Sequence, residues 1–183
     1  MVAALALVGA GCASDDDEAT PTAPTTTTPT TVEGATTGPV EESSAATETA
    51  LLTRVEIGRN EGFDRVVFEF RDELPGYRIE YVEPPLTEDG SGNPVEVEGS
   101  AFLVVRMEPA SGFDLSVPEG ELVYTGPRRL SGAEAGATTV REVVRTGDFE
   151  AVLTWAIGVD GRTPFAVSTL EGPARLVLDF AGP

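Results

Sequence analysis

The feature that most narrows the fold is a period of two in hydrophobicity, repeated along the chain from Leu51 onward. In Arg65-Val66-Val67-Phe68-Glu69-Phe70, an extended backbone places Val66, Phe68 and Phe70 on one face and Arg65, Val67 and Glu69 on the other, as a strand with one face in a core requires. Tyr77-Arg78-Ile79-Glu80-Tyr81 alternates in the same way. The pattern predicts further strands over Leu51–Ile57, Ala101–Met107, Leu122–Thr125, Thr139–Arg145, Glu150–Gly158, Phe165–Leu170 and Arg175–Phe180. Segments bearing Gly or Pro separate them, such as Glu73-Leu74-Pro75-Gly76 and Val159-Asp160-Gly161. Short strands punctuated in this manner specify an all-β fold, a β-sandwich of mainly antiparallel strands or a partly closed barrel. Long amphipathic helices are not expected, and a single helical turn is expected near Gly132–Ala137.

Phe63–Phe70 and Pro173–Phe180 match each other at Arg65 and Arg175, Glu69 and Asp179, and Phe70 and Phe180. This reads as a weak internal duplication, whose related halves would suit two packed sheets. The matched arginines and carboxylates fall on outward positions, where Arg65 with Glu69 and Arg175 with Asp179 are expected to form exposed ion pairs worth about 0–1 kcal/mol each.

The chain before Leu51 has a different composition. Residues 13–50 are dominated by Thr, Pro, Ala, Ser and acidic residues and contain no aromatic residue. Such a segment buries too little apolar surface to offset its ordering entropy, and it is expected to be a disordered tether. O-glycosylation of its Thr/Pro tract is open. Residues 1–12 hold an apolar run, Val2–Gly11, that ends at Cys12, the one cysteine of the chain. The run suits a signal-peptide core and falls short of the roughly 20 residues that span a bilayer. Small residues ahead of Cys12 make the arrangement resemble a bacterial lipobox, where a signal peptide is cut before a cysteine that carries a lipid. Gly9 stands where Leu or Val is usual, and no basic residue precedes Arg54, so the start is expected to lie upstream of Met1. Cys12 is therefore the candidate lipidation site, the alternative being an incidental or buried thiol.

Residues 51–183 suffice for one domain with its own core. The formal charge is −19, with 12 basic residues, all arginine, against 31 acidic ones. That balance repels nucleic acid and anionic head groups, so neither is an expected partner, and membrane association would come from the lipid. Histidine and lysine are absent, which removes Ser-His-Asp, Cys-His and Ser-Lys nucleophiles and most zinc or copper ligand sets. No cofactor or metal is expected. Asp89-Gly90-Ser91-Gly92-Asn93 spaces oxygens like the opening of a calcium loop, but Pro94 and Ser100 stand where such a loop needs Gly and a bidentate Glu, and a surface hairpin or Ω-loop is the better reading. Paired carboxylates acting on a glycosidic bond remain a remote alternative among so many acids.

Six residues are candidates for ligand binding. Trp155, Tyr77, Tyr81 and Tyr124 offer ring faces for sugars or a protein partner. Trp155 is in phase with Leu153 and Ile157, and Tyr77 and Tyr81 flank Ile79, so a core role competes at these positions. Arg128 and Arg129, the adjacent arginines, would grip a carboxylate by bidentate hydrogen bonds, or would form a solvated pair in a loop.

The segments Leu51–Arg59, Gly62–Phe70, Pro75–Val82, Leu153–Val159 and Pro173–Phe180 together resemble the AMIN-like domain of actinobacterial secreted proteins and lipoproteins. That family is similar to the AMIN domain, a β-sandwich that places cell-wall amidases and secretin-type proteins in the envelope. The resemblance implies a non-catalytic binding or targeting module for an envelope component, with peptidoglycan as the suspected target. An envelope protein-interaction or assembly subunit without glycan affinity is the alternative. With the anchor at Cys12, the expected location is the outer face of the cytoplasmic membrane.

Overall fold

The computed structural model describes residues 32–44 and 48–182. Cys12, the apolar run before it and the first part of the expected tether lie outside the described residues. The strands are β1 (Val40–Glu42), β2 (Ala50–Asn60), β3 (Phe63–Phe70), β4 (Gly76–Val82), β5 (Ala101–Glu108), β6 (Ala110–Ser111), β7 (Phe113–Asp114), β8 (Glu121–Leu122), β9 (Arg129–Ser131), β10 (Val140–Phe149), β11 (Val152–Val159), β12 (Phe165–Leu170) and β13 (Ala174–Ala181). They form a first sheet in the order β12-β13-β3-β2-β6, a second in the order β1-β4-β5-β11-β10-β9, and a ribbon of β7 and β8. Pairing is antiparallel except between β2 and β6.

The alternation read in β3 is realised. Val66, Phe68 and Phe70 are fully buried beside Leu176, Leu178 and Phe180 of β13. They belong to one core with Ile79, Leu103, Val105, Met107, Leu153, Trp155 and Ile157 of the second sheet. Phe68 meets Trp155 edge to face at 5.9 Å. Burial of each such large apolar side chain stabilises by about 1.5–3 kcal/mol.

Five expectations change in detail. The two similar segments do not lie in separate sheets: β3 and β13 are antiparallel neighbours in one. Reversal of a self-similar segment sets Arg65 opposite Asp179, and the ion pair forms across the strands, with Nε 2.7 Å from Oδ1 and Nη2 2.8 Å from Oδ2, rather than within each strand. The region Leu122–Thr125 forms a strand only at Glu121–Leu122. Gly132–Ala137 is a set of turns, closed by Gly136 N–H to Ala133 O (3.1 Å) and Ala137 N–H to Gly132 O (2.8 Å). Finally, residues 32–44, part of the stretch read as tether, join the fold. β1 pairs with β4, Arg78 reaches Glu41 at 2.8 Å, and Val40 packs on the core. An edge strand needs backbone groups more than apolar side chains, so a Thr- and Glu-rich segment can supply one.

Strand register gives the sandwich two ends. At the entry end, Thr36 exchanges both backbone hydrogen bonds with Phe165 (2.9 Å each). Buried Asp64 there accepts the amides of Thr138 (2.8 Å), Thr139 (2.6 Å) and Val140 (3.0 Å) on Oδ2, tying the first sheet to the second. The far end holds the β10–β11 turn and the β7–β8 ribbon.

Candidate binding site

A strand of a two-sheet sandwich ordinarily buries one face. In β11, every residue from Leu153 to Val159 is buried. The cause is the connection between β4 and β5: residues 83–99 fold back over the outer face of the second sheet as a strap. Its tip is a hairpin in which Glu88 N–H donates to Asn93 O (2.8 Å) and Val95 N–H to Leu86 O (2.8 Å), in keeping with the hairpin reading of Asp89–Asn93. Asp89 N–H donates to Thr146 O (3.0 Å), and Ser100 N–H to Val159 O (2.8 Å). Gly158 lies directly under the Glu98 carbonyl and Gly147 under the Asp89 side chain, with no room for a Cβ at either.

Arg128 and Arg129 hold this strap. Arg129 ends the sheet on β9, where its Nη1 donates to buried Glu142 (2.5 Å) and its Nη2 to Glu96 O (3.0 Å). Glu142 also accepts the Glu98 amide at 2.9 Å. Arg128 donates to Arg145 O (2.9 Å) and pairs with Glu88. Hydrogen bonds from Arg128 and Ser91 hold the Glu88 carboxyl below the usual carboxylate range. Both side chains stay about half-exposed, 52% and 50%, and carboxylates of the same chain already engage them, so the pair is not an empty carboxylate grip. Beside the strap runs an open groove of about 780 Å³ with an apolar lining of Pro84, Pro85, Pro94 and Phe102 and a polar side of Arg129 and Glu142. Three prolines fix the strap's backbone there.

The ring candidates sit elsewhere. Trp155 is fully buried between Phe68 and Tyr124, and Tyr124 is 3% exposed. Neither offers a face to a sugar, because both rings complete the core. The Tyr124 hydroxyl donates to Pro127 O (2.8 Å), and Arg145 lies over its ring. Tyr77 and Tyr81 are half-buried against the core. Tyr81 donates to Thr163 O (2.6 Å) under the guanidinium of Arg162, and burial raises its phenol pKa. The groove therefore joins Arg129 to residues that the pattern of the sequence did not single out, Phe102, Glu142 and the strap prolines. The doubled prolines Pro84-Pro85 were the available signal for a fixed, non-strand segment.

A closed sandwich with a braced surface groove is the form of a β-sandwich binding domain. Among the described residues no group of acidic or cysteine side chains is arranged to hold a metal, and no helix is long and apolar enough to cross a membrane. The chain belongs to the AMIN-like domain family, whose model matches residues 50–182. Domains of this family are cell-envelope binding or targeting modules of secreted and envelope proteins. No curated protein and no solved structure matches the chain.

Proposed function

We propose that this is a cell-envelope lipoprotein, held on the outer face of the cytoplasmic membrane by a lipid on Cys12, whose AMIN-like domain is a non-catalytic binding module for peptidoglycan. The observation that carries the reading is the family match over residues 50–182. The groove beside the strap is the proposed contact surface. It offers the make-up of a recognition site, a mostly apolar concavity with few placed polar groups. Its prolines and Phe102 can face a sugar ring or a stem-peptide side chain, while the exposed Glu96 carboxylate can accept from amide groups and Arg129 fixes the groove wall. The residues leading from the tether enter the fold at Thr36, so the domain would sit beyond the lipid on a spacer.

Co-sedimentation with purified peptidoglycan tests the binding half: the full chain pellets, and a variant lacking residues 50–182 does not. Equal recovery of the two in the supernatant would sink it. Membrane fractionation of Cys12→Ser tests the anchor, and release into the soluble fraction is expected.

A further inference from the structure

Among the described residues, all the exposed large hydrophobic side chains except Leu170 gather at one place. Phe113, Leu115, Val117 and Leu122 belong to the β7–β8 ribbon, and Phe149 opens the adjoining β10–β11 turn. Leu115 is 83% exposed and Phe149 63%. A cavity of about 860 Å³ lies at this far end, with Leu115, Phe113 and Phe149 in its lining. Scattered apolar residues on a surface need no explanation, whereas a cluster around a concavity marks an interaction site.

The cluster is displayed on braced backbone. Asp114 Oδ1 accepts Ser116 N–H (2.9 Å) and its hydroxyl (2.6 Å), and Oδ2 meets Arg71 at 3.4 Å. Asp148 accepts the Ser111 hydroxyl (2.8 Å) and the Gly112 amide (3.0 Å). Loop residues 112–116 are thereby fixed at both sides of Phe113. The turn beside Phe149 is made by Glu150 (φ 50°) and Ala151 (φ 58°), both left-handed without being glycine. Positive φ at both positions is what a two-residue hairpin that pairs Phe149 with Val152 requires, so the turn fixes where Phe149 is presented.

Charge selects the occupant. The cavity rim carries Glu48, Asp72 and Glu150, which make no ion pair among the described residues. The nearby cations are engaged, Arg71 with Asp114 and Glu121 and Arg145 with Tyr124 and Asp148. Anionic head groups would be repelled by this rim, and so would a second copy of the same surface. We infer that the far end is a docking surface for a partner protein, engaged by a segment that sets Lys or Arg beside an apolar side chain. The apolar residue enters between Leu115 and Phe149 while its cation meets the free carboxylates. This surface is separate from the strap groove, and its use does not require glycan affinity.

The test uses the full chain in detergent with labelled model peptides: one of Lys and Leu, one of Glu and Leu with equal apolar content, and one of Lys and Ser. Tight binding is expected of the Lys/Leu peptide alone. Leu115→Ser with Phe149→Ser should weaken it at least about tenfold, as loss of an apolar anchor does. Asp72→Asn with Glu150→Gln should weaken it and flatten its salt dependence. Equal binding of the Lys/Ser peptide, or unchanged binding by both double variants, overturns the proposal. Adsorption to phosphatidylglycerol vesicles, or a dimer in sedimentation, overturns it if Leu115→Ser abolishes either. Peptidoglycan retention of the double variants is expected to equal wild type, so failure of the wall reading registers separately.

Discussion

The two sheets share a core and differ on their outer faces. On the first sheet Arg65–Asp179 and Arg54–Glu56 stand toward solvent as cross-strand and same-strand ion pairs. On the second sheet the strap roofs the outward residues, so Glu142, Thr146 and Thr154 are buried. Glu142 finds two partners, Arg129 and the Glu98 amide. The Thr146 hydroxyl donates to Thr154 O (3.3 Å) within the sheet, and the Thr154 hydroxyl has no partner among the described residues. Outward charged residues thus serve solvation on one sheet, and Glu142 serves attachment on the other. The outer face of the covered sheet carries a groove with fixed walls, which is why wall recognition is proposed there.

The difference can be broken at several points. Trp155→Ala removes the largest side chain of the core from the covered strand and should cost about 3–5 kcal/mol in chemical denaturation. Both sheets should unfold in one transition, and two separate transitions would split the shared core. A matched pair of glycines gives the sharper contrast. Gly158→Ala drives a Cβ into the strap carbonyl of Glu98 and should cost about 1–3 kcal/mol. Gly58→Ala, on β2 with nothing near its Cβ, should stay within about 0.5 kcal/mol of wild type.

Arginine removal should follow the same order. Arg129→Ala leaves buried Glu142 with the Glu98 amide as its remaining donor and should cost about 1–3 kcal/mol. Arg54→Ala on the open sheet should cost no more than about 1 kcal/mol. Thermal melts of the two variants side by side check the order.

Acid should loosen the strap. The carboxyl of Glu88 is held below its ordinary value of 4.5 by Arg128. A depressed folded pKa stabilises above the unfolded value and loses that contribution as pH falls through the folded one. Amide exchange at Asp89 and Val95 should therefore quicken, relative to β3, as pH is lowered below about 4.5. Glu88→Gln should remove the dependence.

The same contrast explains what the amino-acid pattern disclosed. β3 was legible because its outer face meets solvent, so Arg65, Val67 and Glu69 mark the outside as clearly as Phe68 marks the core, and β13 reads likewise at Arg175 and Asp179, although outward Val177 is buried. β10 and β11 gave strands but not their surroundings. Val144 and Ala156 face outward and are buried all the same, because a segment distant in sequence covers them. Local alternation carries no information about a cover supplied by residues 83–99. β1 and β9 were missed for another reason, since three-residue edge strands rest on backbone pairing and leave no periodic trace. At the site, adjacency alone flagged Arg128 and Arg129. Their partners Glu88 and Glu142 were invisible among 31 acidic residues until the fold selected them. Ring chemistry made Trp155 and Tyr124 candidates, and burial removed them.

On the proposed function, the covered sheet binds the wall and the open sheet does not. This difference is tested most directly by peptidoglycan co-sedimentation of two charge reversals at arginines of similar exposure, Arg129→Glu beside the groove and Arg54→Glu on the open sheet, whose side chains are 50% and 56% exposed. Loss of the Arg129→Glu variant from the pellet, with Arg54→Glu retained like wild type, is the predicted result. Equal retention of both, or loss of Arg54→Glu alone, would contradict the account.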